Sequence, residues 1–332
     1  MAIWLCLAGI VSAGQQGSPK ERARALELNN LAAESDQHGR LAEAEQRYLE
    51  ALQVWENSTD PGDPGIIVTL NGLGNLRRIQ GQNSEAQRLF QRAIAIGETA
   101  GESARLDLAF SLNSLGALYC DENKPSRAMP YLKRALEIRE EVVGPEHALM
   151  ASSLDNLADA LLQQHRLDEA EALYRRAVGI LKSPAEHPFL AAVTDYKLAE
   201  LYFRHGKIDT RRLSQAEKLY DRSRAILESS SSREHPLAGV VLTDLAEVFL
   251  AQRRYTEAER LLIRALALEE KVLGPQHPQV ATVLIDYAAL LRKVQRRREA
   301  APMEKRAKGI MRAFHAQNPG RATVDVSTLQ RP

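Results

Sequence analysis

Cysteines, an excess of either charge and long apolar runs are all scarce in this sequence, and each shortage closes off a class of protein. Only Cys6 and Cys120 occur in 332 residues, so no disulfide framework can stand in for a packed core. Lys and Arg number 44 against 43 Asp and Glu, a net charge of +1, which supplies no overall pull toward nucleic acid or an anionic membrane. The apolar run Ile3 to Val11 falls well short of the roughly 20 residues that cross a bilayer, so no membrane span is expected. Also missing are H-E-x-x-H, C-x-x-C, G-x-S-x-G and the G-x-x-x-x-G-K-[ST] phosphate loop. The expectation is a protein that is not an enzyme, with no catalytic, cofactor-binding or metal-binding residues.

What is present is a period. Small residues recur at Ala44, Ala86, Ala128, Ala170, Ala216, Ala258 and Ala300, each 42 places after the last except for one step of 46. Seven places after each stands a second, at Ala51, Ala93, Ala135, Ala177, Ser223, Ala265 and Ala307. A third precedes by twelve at Ala32, Gly74, Gly116, Ala158, Ala246 and Ala288, and by seventeen at Ala199. Such spacing predicts stacked helical hairpins in which small side chains let two backbones approach where they cross. The fourth unit carries Leu154, Leu157, Ala158, Leu161 and then Leu167, Ala170, Tyr174, Ala177, Leu181, apolar steps of three and four that mark a helix A and a helix B. Tyr48, Phe90, Leu132, Tyr174, Tyr220 and Leu262 hold one large apolar column of helix B, which becomes Glu304 in the last unit.

This pattern resembles the tetratricopeptide repeat, whose small residues sit at the eighth, twentieth and twenty-seventh places of a two-helix unit. The 42-residue period, the opening Leu28-Asn29-Asn30-Leu31-Ala32 and turns such as Gly274-Pro275-Gln276-His277-Pro278 resemble the kinesin-light-chain type in particular. The resemblance covers residues 21–314 and implies an all-α, right-handed α-solenoid of about seven hairpins. No heptad segment precedes the repeats, so a kinesin light chain itself is not expected. The implied function is a noncatalytic scaffold that binds a protein or an extended peptide along a concave surface lined by the A helices.

Three places before the small residue of helix A stand Asn29, Asn71, Asn113 and Asp155, then Tyr196. An Asn amide offers two donors and one acceptor carbonyl, so a row of them is expected to hold an extended backbone, standing clear of the packing columns. Asn75, Arg78, Phe110, Asp159, Glu200 and Phe203 complete the expected groove, with apolar pockets at the two phenylalanines and acid at Asp159, Glu200 and Glu247. Two other readings compete. One is a structural or self-assembly module, although a monomer is the expected state. The other is an adaptor for an anionic partner, using Arg292, Lys293, Arg296, Arg297, Arg298, Lys305, Arg306 and Lys308. Aromatics do not interleave with these bases, so nucleic acid is not the expected partner, and the bland reading is a polar cap on the last hairpin.

The remaining features read as architecture. His147, His187, His235 and His277 fall in the turns between units. Stacked helices lie roughly 8–10 Å apart while zinc needs ligands at about 2.0–2.1 Å, so these are expected to be turn residues beside helix-breaking prolines. Cys120 is expected to fill a small apolar gap. Residues 1–13, with Ile3 to Val11 leading into Val11-Ser12-Ala13, predict a signal peptide and an exported (periplasmic or secreted) protein, although no Lys or Arg precedes the apolar run. A linker is expected at 14–20, an inserted loop at 204–212 in the fifth unit, a flexible polar turn at Ser229 to Ser232, and a tail at 315–332 in which Val324 and Val326 allow a short extended segment.

Overall fold

The computed structural model describes residues 19–37, 40–58, 63–183, 185–204, 209–230 and 235–317. Among these residues fourteen α-helices follow one another: α1 (Pro19–Gln37), α2 (Leu41–Ser58), α3 (Gly65–Ile79), α4 (Asn83–Thr99), α5 (Arg105–Asp121), α6 (Pro125–Val143), α7 (Ala148–Gln163), α8 (Leu167–Ile180), α9 (Pro188–Arg204), α10 (Thr210–Ser229), α11 (Pro236–Ala251), α12 (Tyr255–Leu273), α13 (Pro278–Lys293) and α14 (Arg297–Gln317). A short 3₁₀ turn, Glu102–Ala104, leads into α5. Odd-numbered helices are the A helices, even-numbered ones the B helices, and each A packs on the B that follows.

The crossings fall where the small residues predict. Ala44, Ala86, Ala128, Ala170, Ala216 and Ala258 are all fully buried. At Gly74 a Cβ would lie 2.6 Å from the Phe90 ring, and at Gly116 one would lie 2.5 Å from Leu132. Those two hairpins therefore close more tightly than an alanine allows, and the large residue of helix B lies against the bare backbone of helix A. Phe90, Leu115, Tyr119, Leu132 and Leu157 belong to one cluster that runs through α4, α5, α6 and α7, so each hairpin is completed by its neighbour.

The hairpins gather into two compact units, α1 to α8 ending at Ser183, and α9 onward. Inside the first, α1 touches α3, α3 touches α5 and α5 touches α7; inside the second, α9 touches α11 and α11 touches α13. Among the described residues no two successive B helices pack comparably. Each unit therefore curves with its A helices on the inner side.

Both kinds of turn repeat. Between A and B the chain passes through positive φ at Gly81, Asn123, His165, Arg253 and Gln295, and the next amide bonds back across the turn, as in Gln82 N to Arg77 O at 2.8 Å and Lys124 N to Tyr119 O at 2.8 Å. This is the six-to-one closure of a Schellman motif. Between B and A, Gly144 and Gly274 adopt φ of 85° and 87°, and histidines start the following helices. His147, His235 and His277 each accept a hydrogen bond at Nδ1 from the amide two residues on, at 3.1, 3.1 and 3.2 Å.

On the outer side a ladder of ion pairs joins successive B helices. Arg92 meets Glu56 (2.6 Å), Arg134 meets Glu98 (2.5 Å) and Arg176 meets Glu140 (2.9 Å) in the first unit; Arg264 meets Glu228 (2.5 Å) and Arg306 meets Glu270 (2.5 Å) in the second. In the same column Lys182 replaces the glutamate, and Arg222 pairs with Asp195 of its own hairpin at 2.8 Å.

Several boundaries differ from expectation. Helix α1 takes in the end of the predicted linker and α14 the start of the predicted tail. The predicted insertion is helical at both of its ends: α9 extends to Arg204, and α10 starts at Thr210, where Asp209 caps it by accepting from Arg212 N at 2.8 Å. Ser229 ends α10 and Ser230 caps it. The signal segment, most of the linker, residues 205–208, Ser231 and Ser232, and Val324 and Val326 lie outside the described residues.

Ala170 on α8 is completely enclosed. Ala170→Leu is expected to lower stability by roughly 1–3 kcal/mol through overpacking. Chemical denaturation checks this, and an unchanged midpoint would contradict the crossing assigned to it.

Candidate functional site

The inner side of each unit presents two different rows of residues. The row three places before the small residue faces the neighbouring A helix. Asn29, Asn71, Asn113 and Asp155 are all buried; Asn29 Oδ1 accepts from Thr69 Oγ1, on the next A helix, at 2.9 Å. Both amide atoms of Asn71 are enclosed without a hydrogen-bond partner among the described residues. The expectation that these asparagines stand clear of the packing is therefore corrected. Successive A helices touch, and their contact covers this row.

The row immediately after the small residue is the one left partly open. Asn75, Ala117 and Asp159 occupy it in the first unit, Glu200 and Glu247 in the second. Around it in the first unit, Arg78 pairs with Asp121 at 2.6 Å across α3 and α5, Phe110 is half-buried, and Asp159 accepts from the Tyr174 hydroxyl. The predicted residues thus divide: Tyr196, Glu200 and Phe203 belong to the second unit and the others to the first.

In the second unit the partly open row meets a cluster of charge. Arg204, last residue of α9, pairs with Asp244 at 2.6 Å, Glu247 at 3.1 Å and Glu200 at 3.7 Å. Asp286 of α13 lies beside them. Burial opposes the charge on Arg204, but Asp244, Glu247 and Glu200 outweigh it and hold its pKa above the ordinary value. Burial raises the Asp244 carboxyl, and Arg204 offsets only part of that. Asp286, desolvated and facing both Glu247 and Asp244, is pushed up to about 8. Sequence reasoning missed Arg204 because the residue sits where the insertion blurs the helix end. Asp244 and Asp286 carried a signal, since they occupy one column of successive repeats.

Other candidates resolve as structure. The basic cap is partly neutralised: Arg292 pairs with Glu304 at 2.6 Å, and Arg296 with Glu259 at 2.6 Å and Glu299 at 2.7 Å. This also explains a charged residue at Glu304. Cys120 is buried, and its carbonyl accepts from Gln163 Nε2 at 3.0 Å. Among the described residues no helix is long and apolar enough to cross a membrane.

The sequence pattern of the tetratricopeptide-repeat family matches residues 24–99, 105–183, 190–262 and 240–313. The chain belongs to the tetratricopeptide-repeat family. Among solved structures it is similar to a putative kinesin light chain with nearly identical repeats from Podosopora anserina, at 22% identity over 62% of this chain and 95% of that one, with a TM-score of 0.52. It is similar also to BtubC from P. vanneervenii (18% identity, 77% of this chain and 94% of that one, TM-score 0.54). A third is the quorum sensor NprR from B. thuringiensis in its apo form, at 14% identity over 88% of this chain and 76% of that one, with a TM-score of 0.62. At such identities the likeness is one of fold. No curated protein sequence matches the chain.

One column of this tetratricopeptide array departs from its family logic. Eleven places after the small residue that opens helix B stand Trp55, Leu181 and Leu227, buried and apolar, but also Arg139 and Glu269. Arg139 is satisfied, donating to Leu149 O at 2.8 Å and Ser153 Oγ at 2.7 Å. Glu269 is 1% exposed, and neither carboxyl oxygen has a partner among the described residues. Only Gly239 leaves room for it, since a Cβ there would lie 2.0 Å from Oε1. Burial pushes Glu269 up to about 7. An acid raised in the folded state is harmless while protonated and destabilises as pH rises from its unfolded value through its folded one. Glu269→Leu is therefore expected to stabilise the protein by on the order of 3 kcal/mol at about pH 8, and by far less at about pH 4. Melting temperatures across that range check it; a variant less stable at the higher pH would contradict it.

Proposed function

We propose that the chain is a noncatalytic scaffold that takes up a protein segment along the inner face of its A helices. Folds of this family generally mediate protein–protein interaction, and the observation that carries the reading here is a contrast between columns. Positions that pack helix on helix repeat the same residue class through the array, as Ala86, Ala128 and Ala170 do. The partly open inner row varies instead, from Asn75 to Ala117 and Asp159 in the first unit and to Glu200 and Glu247 in the second. Packing demands uniformity; recognition of one particular segment demands difference. Half-buried Phe110 and Phe203 add apolar contacts of the kind that dominate binding energy.

Placing a photoreactive phenylalanine analogue at residue 110 or 203 is expected to cross-link the native partner in cells of the source organism. The same analogue at Leu49, exposed on α2, is expected to give none. Equal adducts at all three positions, or adducts at residue 49 alone, would defeat the inner-face reading.

We propose further that the protein is exported, on the strength of the apolar run Ile3 to Val11 followed by small residues. Amino-terminal sequencing of the natively expressed protein is expected to begin at Gly14. An intact Met1 would remove the assignment.

A further inference from the structure

The first and last hairpins carry packing positions that their own neighbours do not fill. Leu31 on α1 is 37% exposed, whereas the residues of the same column, Leu73, Leu115, Leu157, Leu198, Leu245 and Tyr287, are at most 7% exposed. Inside the array this position covers the preceding hairpin, as Leu73 does by packing with Tyr48. On α14 the place of Tyr48 is taken by Glu304, whose charge is already met by Arg292 at 2.6 Å. Met311 of α14 stands in the column of Trp55 and is half-buried. Trp55 reaches Gly65 of the next A helix, where a Cβ would lie 2.4 Å from its ring; the place of Gly65 on α1 is Ala23, small and exposed.

The two hairpins are opposite in charge. Residues 19–58, with α1 and α2, hold eight acidic and five basic residues, and residues 278–317, with α13 and α14, hold nine basic and three acidic. The outer ladder carries the contrast down to single positions. In each of its Glu–Arg rungs the glutamate belongs to the earlier helix and the arginine to the later, as in Glu56 with Arg92 and Glu270 with Arg306. At the ends both columns reverse. The arginine column begins with Glu50 on α2, and the glutamate column finishes with Arg312 on α14. Both residues are exposed. Glu50 accepts a hydrogen bond from Gln46 at 2.9 Å, and neither residue has an ion pair among the described residues.

We infer that the last hairpin of one chain stacks head-to-tail on the first hairpin of a second copy, whose α1 takes the place that the next A helix takes inside the array. In that register Arg312 of one copy meets Glu50 of the other, a rung with its charges exchanged. Met311 reaches Ala23, and α14 covers Leu31 at the neutralised Glu304. The exchange also gives selectivity: Arg312 would face arginine, and Glu50 glutamate, if either end met an interior face of the array. Such a contact is heterologous and propagates into open chains or closed rings of copies. Its rung is solvent-exposed and its charges are screened by salt, so the association is weak and salt-sensitive. It leaves the partly open inner row of each unit uncovered, and so adds to the scaffold reading without depending on it.

Sedimentation velocity on the full chain tests this. The mean sedimentation coefficient is expected to rise with concentration up to about 100 μM at about 50 mM salt, and the rise to vanish at about 0.5 M salt. Glu50→Arg and Arg312→Glu each put like charges on the rung, and each is expected to weaken self-association about fivefold. Both lie on exposed helix surface, so helix content is expected to stay unchanged. The double variant, and an equimolar mixture of the two single variants, are expected to recover the wild-type behaviour, since arginine then meets glutamate again. A sedimentation coefficient independent of concentration at low salt would overturn the inference. So would association that both substitutions leave untouched, or that the mixture fails to restore, because the copies would then meet through another surface.

Discussion

Everything in this chain depends on how closely two helix backbones approach at a few crossings. Alanine at Ala44, Ala86 and Ala128, and glycine at Gly74 and Gly116 where even a methyl group would collide with Phe90 or Leu132, set the separation within each hairpin. That separation decides where the large residue of helix B lands. From there the stacking follows, since a hairpin this thin leaves one face of its apolar residues to be covered by the next.

Repetition separates the residues that build the array from those free to vary. The asparagine row shows how easily the two are confused. One residue type at one repeat spacing suggests a binding ladder, yet Asn29, Asn71 and Asn113 are buried, and Asn29 accepts from Thr69 of the next A helix. The ion pairs between successive B helices are the outer counterpart. Each is exposed and contributes about 0–1 kcal/mol, so their role is to fix register more than to hold the array together. Where Lys182 stands in place of glutamate, Arg222 turns to Asp195 instead.

The two inner faces differ in charge balance. In the first unit Arg78 and Asp121 pair one to one, and the Asp159 carboxylate has the Tyr174 hydroxyl. In the second, Arg204 stands among Asp244, Glu247 and Glu200, and burial, with Glu247 and Asp244 nearby, pushes the Asp286 carboxyl up.

The period, the hairpins and the packing columns were legible in the sequence alone, because a crossing tolerates only a small residue and the requirement recurs at every unit. The His147, His235 and His277 turns were legible as turns for the same reason, though not as helix caps. Other features depend on distances between residues far apart in the chain. The positive φ at Asn123, His165, Arg253 and Gln295 carries no glycine signal, because the closing hydrogen bonds of the turn impose it. The grouping into two units, the covering of the asparagine row and the convergence of Arg204 with Asp244, Glu247 and Asp286 came only from the tertiary structure. Composition and period say which residues recur; burial and charge at a given position are set by which neighbours the fold brings against it.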